Sequence, residues 1–556
     1  MSPTTLDSAH KVQPSSAVDA SAEERARRLA ELSRALEAVY GLCPDLAVLA
    51  IRWMHLKHPL QDAQEALLRE VDRDDAKERV GGWLSRVRAA ISLTWSMARG
   101  TLFGAYLALQ LIRLRFVTRH ARYAVAGQAF DVVARTCCYA STPSADGADF
   151  YFGDLQARVA RHGIRMLLLC GDATGGKWLP FAEGQSVTRG SHRFPDLALV
   201  PSLAPLLIAG HQLRACFLLI TRAGGLSDPF ARRVASLAAR ACLSQDTAVT
   251  GLLFWVGRTA VKIWHPGAFL TLYEGHAWEA CLRAGVKAED ASCATVGYQH
   301  TVVFRDSLAM TAPYGRGHNW AVPEVVLGLG EAPLELMRAG HAGFDTRMVR
   351  FGSFRYQAGT AGHPADPHRR VVLVTPEGIV SEIRTLFHFA LACARCLPSH
   401  TFVFRCHPQV PMAQALKLVS GEVRSQPNIV LSEGRRIEED FARASVLLYR
   451  GSSSVMYAVL HGLLPVYLRH GGSDQDPVYG LQVWRRRCAT PEEFAELLAE
   501  DERVAPMERQ QQWDAAARYV KAYTGPVQDD QVRAFLAAMA PHQPGGAAAR
   551  PEGWLS

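Results

Sequence analysis

A chain of 556 residues is too long for one hydrophobic core and calls for two or three domains. With 49% hydrophobic and 21% charged residues it is globular rather than disordered. Its net charge of +8 is modest for this length, and the basic residues are scattered without an aromatic-basic repeat, which argues against a nucleic-acid binder.

The first twenty residues are rich in Ser, Ala and Asp and are expected to be disordered. They lack a basic segment followed by an apolar one, so no signal peptide is expected. Residues 21–122 are helical in pattern. Within them Ala89 to Ile112 is almost wholly apolar, and Arg113, Arg115, Arg119 and Arg122 come directly after it. The length would cross a bilayer, but Arg99 and Gly100 near its middle favour a helix lying in the interface, with the arginines on anionic cytoplasmic lipid. A buried helical hairpin and a true span remain the alternatives. The 12 cysteines include Cys137–Cys138 and a CxxC at Cys393 and Cys396. No second pair stands at zinc spacing, so these read as core cysteines in a reducing cytosol.

Residues 123–354 change to short apolar runs alternating with amphipathic segments. Met166–Cys170, Leu197–Val200, Phe217–Ile220, Phe269–Tyr273 and Ala294–Tyr298 read as strands. Val325 to Phe351 adds a strand, a helix and a strand. Residues 355–370, with two glycines and two prolines, read as a hinge. A second alternating set fills 371–540: strands at Val371–Thr375, Thr401–Arg405, Ile429–Leu431, Ser445–Tyr449 and Pro465–Leu468, with helices between. Residues 541–556 read as a flexible tail. The pattern implies an α/β protein with two Rossmann-like domains facing a cleft, preceded by a helical region.

Candidate chemistry clusters at predicted strand ends. Arg450 to Ser454 (RGSSS) comes after a buried strand and opens a helix. Gly451 lets backbone approach a ligand, and Ser452, Ser453 and Ser454 add hydroxyls to the N–H groups of a helix N-terminus, an arrangement suited to a phosphate. An ordinary capped turn would look the same. His407, in FRCHP, stands at the end of another strand of that domain and could donate to a phosphate oxygen, as could Arg405 beside it. In the first domain YEGHAWE and GYQH end adjacent strands and would present Glu274, His276, Gln299 and His300 to the cleft. A carboxylate there suits a general base, with histidine or glutamine orienting a substrate hydroxyl or acid. Zinc on His276 and Glu279 (HxxE) is the weaker reading, for want of further ligands at a usual spacing. Asp154 reads as solvated or capping. Gly171 to Lys177 (GDATGGK) has phosphate-loop spacing, but Trp178 replaces the Ser/Thr that would hold magnesium and Pro180 blocks the helix, so it reads as a chance match.

From about Val125 to Ala540 the chain resembles a GT-B glycosyltransferase of bacterial surface-polysaccharide biosynthesis. The residues that carry the resemblance are FRCHP, YRGSSSVMYAVLHGLLPVYL, LYEGHAWE and GYQH. His-Pro with Ser-Ser 45 residues later (His407 to Ser452) is similar to transferases of CMP-activated acidic sugars, the sialyl and Kdo types. The resemblance implies that His407 and Pro408 support the nucleotide phosphate, that Ser452 and Ser453 bind it, and that Glu274 is the base. The sialyltransferase motif has two acids before glycine; here Tyr273 stands in place of the first. The implied activity is metal-independent transfer of a sugar from a nucleotide donor, CMP-linked above others, to a lipid-linked or growing capsule or lipopolysaccharide glycan. No separate cofactor is implied, and the expected place is the cytoplasmic face of the inner membrane. A CDP-glycerol-type polyol-phosphate transferase, or a catalytically silent GT-B subunit of an assembly complex, are the alternatives.

Overall fold

The computed structural model describes residues 16–55, 83–117, 127–138, 148–172, 192–304, 307–355, 362–407, 410–419, 421–470 and 475–539. Two parallel sheets organise them. The first has seven strands: β1 (Val132–Cys138), β2 (Met166–Asp172), β3 (His192–Pro195), β4 (Ala268–Leu272), β5 (Ala294–Tyr298), β6 (Val325–Gly328) and β7 (Arg347–Arg350), in the order β3-β2-β1-β4-β5-β6-β7. The second has six: β8 (Val371–Pro376), β9 (Thr401–Phe404), β10 (Ile429–Leu431), β11 (Val446–Arg450), β12 (Leu464–Leu468) and β13 (Arg486–Cys488), in the order β10-β9-β8-β11-β12-β13. Every pairing in both sheets is parallel, so all the strand ends of one sheet open on one edge. Central strands β4, β11 and β12 are buried at every residue, which is why they read as unbroken apolar runs. Two doubly wound sheets across a cleft are the GT-B architecture that the motifs imply.

The helices that bear on the site and the outer surface are α1 (Ser16–Leu42), α2 (Trp83–Val117), α3 (Ala204–Arg222), α4 (Gln245–Trp264), α5 (Ala277–Glu289), α6 (Val380–Cys396), α7 (Ile437–Arg443), α8 (Ser454–Leu460), α9 (Pro506–Tyr523) and α10 (Asp529–Met539). The expected helical region is not a separate body. Leu32, Leu36, Val39 and Tyr40 of α1 share one core with α3, α4 and the first sheet's Val133, Leu167 and Phe269. α1 begins at Ser16, inside the segment expected to be disordered, while residues 1–15 and the expected tail lie outside the described residues.

The structure corrects two predicted strands. Phe217–Ile220 lies within α3, and Leu197–Val200 forms most of a 3-10 turn, Asp196–Leu199. α3 is apolar both where it meets the core and where it meets solvent, so its 3.6-residue period is hidden. Strands β1 and β3 are hard to see in sequence because they carry polar residues whose partners are distant. Arg135 of β1 pairs with Asp196 at 2.9 Å, and Thr136 donates to Asp149 at 2.9 Å.

The chain finally crosses back. α10 packs on β7 of the first domain, where Phe535 meets Phe351 at 6.0 Å between ring centroids. The 371–540 span expected from sequence therefore ends in a helix that rests on the first domain. Gly330 admits this crossing, since any Cβ there would collide with the carbonyl oxygens of Ala522 and Tyr523. The Tyr523 hydroxyl accepts from the Val303 N–H at 2.8 Å.

Candidate active site

At the carboxyl edge of the first sheet, β4 ends in a turn at Tyr273–His276. Gly275 takes φ +80°, a conformation glycine adopts without strain. Glu279, in the first turn of α5, reaches back to accept from the Glu274 N–H at 3.1 Å and the Gly275 N–H at 2.9 Å. Glu279 is fully buried, and its charge faces Arg283 at 3.9 Å. It therefore builds the turn, and the HxxE pairing with His276 has no acid left over for a metal. Among the described residues no group of three or more His, Cys, Asp and Glu side chains is arranged to hold a metal ion.

The turn presents Glu274 between two histidines. Its carboxylate accepts from His300 Nε2 at 3.0 Å on one oxygen and from His276 Nε2 at 3.1 Å on the other. The His300 side chain is only 6% exposed. Its edge-to-face contact with Tyr151, 4.7 Å between centroids, fixes the ring. With Nε2 held to the carboxylate, His300 Nδ1 is buried and has no hydrogen-bond partner among the described residues. His276 stacks on Trp278 at 5.8 Å, and the Arg135 guanidinium lies 4.3 Å from the Trp278 ring centroid. Tyr151, Trp278 and Arg135 thus join the wall of the site; Trp278 lies within YEGHAWE, and no sequence motif marks the other two.

Gln299 turns away from this group. It is fully buried; its side-chain carbonyl accepts from the Leu329 N–H at 2.9 Å and its amide donates to the Thr301 carbonyl. Both ends of the side chain hold backbone, which leaves nothing for an acceptor. Asp154 pairs with Arg158 at 2.8 Å.

At the edge of the second sheet, Gly451 turns at φ +72°. Ser452 and Ser454 bond each other at 2.8 Å, and Ser454 also meets Thr375 at 3.1 Å. Ser453 makes no capping bond to α8 and lines the cleft instead. Below the turn, Arg450 is held to Glu382 of α6 at 2.6 Å, a buried ion pair. Arg405 is likewise committed to structure. It bonds Asp440 at 2.7 Å, Ser432 at 3.2 Å and the Arg435 carbonyl at 3.1 Å, so its fork points into α7 and not into the cleft. His407 lies against Gly378, where a Cβ would come within 2.9 Å of its Nδ1. Burial, and secondarily the positive charge of Arg355, holds this imidazole below its ordinary pKa, so it is neutral at pH 7. Pro408 and residues 173–177 of the phosphate-loop look-alike lie outside the described residues.

The two edges meet in one open cleft, lined by His300, Thr301, Ser353, Arg355, Ser453, Met456, Tyr457 and Thr524 among others. Arg355 is a cation that the sequence pattern places only in the hinge. Its guanidinium stands 5.0 Å from the Phe150 ring, its carbonyl accepts from the Tyr457 hydroxyl at 3.1 Å, and among the described residues it has no carboxylate partner. Thr524, just after α9, is buried, and its hydroxyl has no partner among the described residues. Of the residues expected from sequence, the fold gathers Glu274, His276 and His300 on one side. Ser453 lines the opposite wall, with His407 beside Arg355.

No protein-family model matches the chain. No curated protein matches it either. Among solved structures it is similar to the glycotransferase of kitacinnamycin at 15% identity, covering 74% of this chain and 100% of that one with a TM-score of 0.42. It is also similar to the glycosyltransferase SnogD from Streptomyces nogalater at 14% identity, with 74% and 100% coverage and a TM-score of 0.38. The UDP-GlcNAc 2-epimerase from Neisseria meningitidis, bound to UDP-GlcNAc, is similar at 9% identity, with 73% and 99% coverage and a TM-score of 0.43. These are distant likenesses of chain course.

Proposed function

We propose that the protein is a glycosyltransferase that moves a sugar from a nucleotide donor to a hydroxyl of a lipid-linked or growing glycan at the inner face of the cytoplasmic membrane. The observation that carries the reading is the pair of buried polar atoms at the interdomain cleft, His300 Nδ1 and the Thr524 hydroxyl, that have no partner among the described residues. Buried polar groups are almost always satisfied, so His300 Nδ1, on the ring that holds Glu274, and the Thr524 hydroxyl in the same cleft support a polar ligand there.

In this reading Glu274 takes the proton of the acceptor hydroxyl, whose oxygen bonds the anomeric carbon while the bond from that carbon to the phosphate oxygen breaks. The electron pair leaves on the phosphate. Ser453, neutral His407 and the Arg355 guanidinium face that developing charge in place of a metal ion. His300 and His276 hold the Glu274 carboxylate in place. Arg405, bonded to Asp440, has no part in it. A CMP-linked acidic sugar is the proposed donor, on the strength of the His407 and Ser452–Ser453 spacing alone.

The test is thermal melting of the purified protein with CMP, CDP, UMP, UDP and GDP. A ligand at a hundred times its Kd adds about 2.7 kcal/mol to stability. CMP should raise the melting temperature, and the rise should vanish in Ser453→Ala and shrink in His407→Ala. A shift with UDP or GDP alone would overturn the donor and keep the transferase; no shift with any nucleotide would put the silent-subunit reading first.

A further inference from the structure

The outer surface of the first domain carries an apolar face of which the sequence pattern shows only a part. On α2, Trp95, Leu102, Leu109 and Phe116 recur at intervals of seven and are 67–73% exposed. On α3, Leu206, Leu213 and Ile220 repeat the same interval and are exposed as well, with Phe217 beside them at 64%. A seven-residue interval keeps side chains on one side of a helix. The two helices pack together. A Cβ on Gly104 of α2 would come within 3.2 Å of the Pro205 carbonyl of α3, and Arg115 donates to the Val200 carbonyl at 2.7 Å. The result is one platform, not two separate stripes. Soluble surfaces rarely leave so many large apolar side chains contiguous.

Charge identifies what covers it. The chain averages about one acidic residue in ten, 53 in 556. Yet α2 over its 35 residues and α3 over its 19 have no Asp or Glu at all. They carry Arg86, Arg88, Arg99, Arg113, Arg115, Arg214 and Arg222, and the sequence continues to Arg119 and Arg122. An apolar face on two helices whose charged residues are all arginines complements the acyl boundary and anionic headgroups of a bilayer. We infer that α2 and α3 together form a docking face for an anionic lipid surface, lying in its plane. This deepens the peripheral-membrane part of the function proposed above by naming the surface. Spanning is disfavoured by the fold itself. The stretch Ala204–Gly225 is long and apolar enough to cross a membrane, but Ile208, Ala215, Cys216 and Leu219 of α3 are fully buried in the domain core, as Leu111 of α2 nearly is.

The experiment is co-sedimentation of the full chain with phosphatidylcholine vesicles, with and without phosphatidylglycerol, for the wild type and two double variants. These are Leu109→Glu/Phe116→Glu on α2 and Leu213→Glu/Phe217→Glu on α3, whose wild-type side chains are solvent-facing, so the fold should persist. The wild type should bind the anionic vesicles, and each variant should lower the partition by about tenfold or more while keeping wild-type circular dichroism. Full binding by the α3 variant would overturn the two-helix face. So would equal binding to neutral and anionic vesicles, or a solution dimer that both variants disperse, since a second copy would then be the occupant. The nucleotide-dependent melting shift is measured on the same samples. A wild type that shows that shift but does not bind anionic vesicles sinks only the docking face, and vesicle binding by a wild type with no shift sinks only the transferase.

Discussion

Replacing Glu274 by Gln tests the site most directly, because the two side chains have nearly the same shape. The wild-type carboxylate accepts from two imidazole N–H groups, at 3.0 Å from His300 and 3.1 Å from His276. Glutamine can accept from one; its NH2 faces the other and forces that ring to present a lone pair. If His300 yields, its proton moves to Nδ1, which is buried without a partner. A buried unpaired N–H costs about 1–3 kcal/mol. In a domain of this size that corresponds to a fall in melting temperature of about 2–4 °C per kcal/mol. The chemical loss should be larger. Removing a positioned general base costs about 100- to 10,000-fold in rate, or about 2.7–5.4 kcal/mol of transition-state stabilisation. The assay is transfer from whichever nucleotide sugar the melting panel selects, with nucleotide affinity measured beside it. The expected pattern is a rate fall of that size with nucleotide affinity unchanged, since the nucleotide is proposed to contact the other wall. Activity within about fivefold of wild type would refute the assignment of Glu274 as base.

The packing sets further outcomes. Arg450→Met leaves Glu382 buried without its partner and should cost about 3–5 kcal/mol in urea unfolding; adding Glu382→Leu should recover most of it. If the double variant is no better than the single, the pair is not what holds the RGSSS turn. Gly330→Val should push the α9 end away from the first domain and lower stability by about 1–3 kcal/mol, visible as earlier proteolysis after Tyr523. Wild-type resistance in that variant would remove Gly330 from the crossing. Acid should destabilise the fold through its buried histidines. Burial holds His55 down at about 3, and His341, His400, His407 and His461 are lowered for the same main reason. The unfolded chain then binds protons that the folded one refuses, so stability is full above about pH 6.5 and falls as the pH drops below it. His55 alone should account for about 1–2 kcal/mol by pH 5, and His55→Gln should flatten the melting-temperature profile between pH 7 and 5 by that amount.

Much of the fold is legible in sequence where a signal is carried by near neighbours. β11, the RGSSS turn and α8 lie within about fifteen residues, and their apolar run, glycine and helix start are local choices of the backbone. The Glu274 turn is legible for the same reason: its glycine takes φ +80° and its stabilising acid, Glu279, is five residues on. Sequence could not determine which polar groups remain available. Arg405 and Arg355 look equivalent as strand-end and hinge arginines. Only the fold brings Asp440 to the first and leaves the second without a carboxylate among the described residues. Gln299 and His300 are adjacent, yet the Leu329 N–H removes one from the site and Glu274 brings in the other. The return of α9 and α10, which brings Thr524 to the same cleft as His300, depends on contacts such as that of Tyr523 with Val303, 220 residues apart. Local sequence sets backbone preference through sterics and hydrogen bonds to near neighbours. Whether a buried charge or hydroxyl is already satisfied depends on partners that only the tertiary fold brings near, so the sequence by itself determined most of the elements and the tertiary structure decided the site.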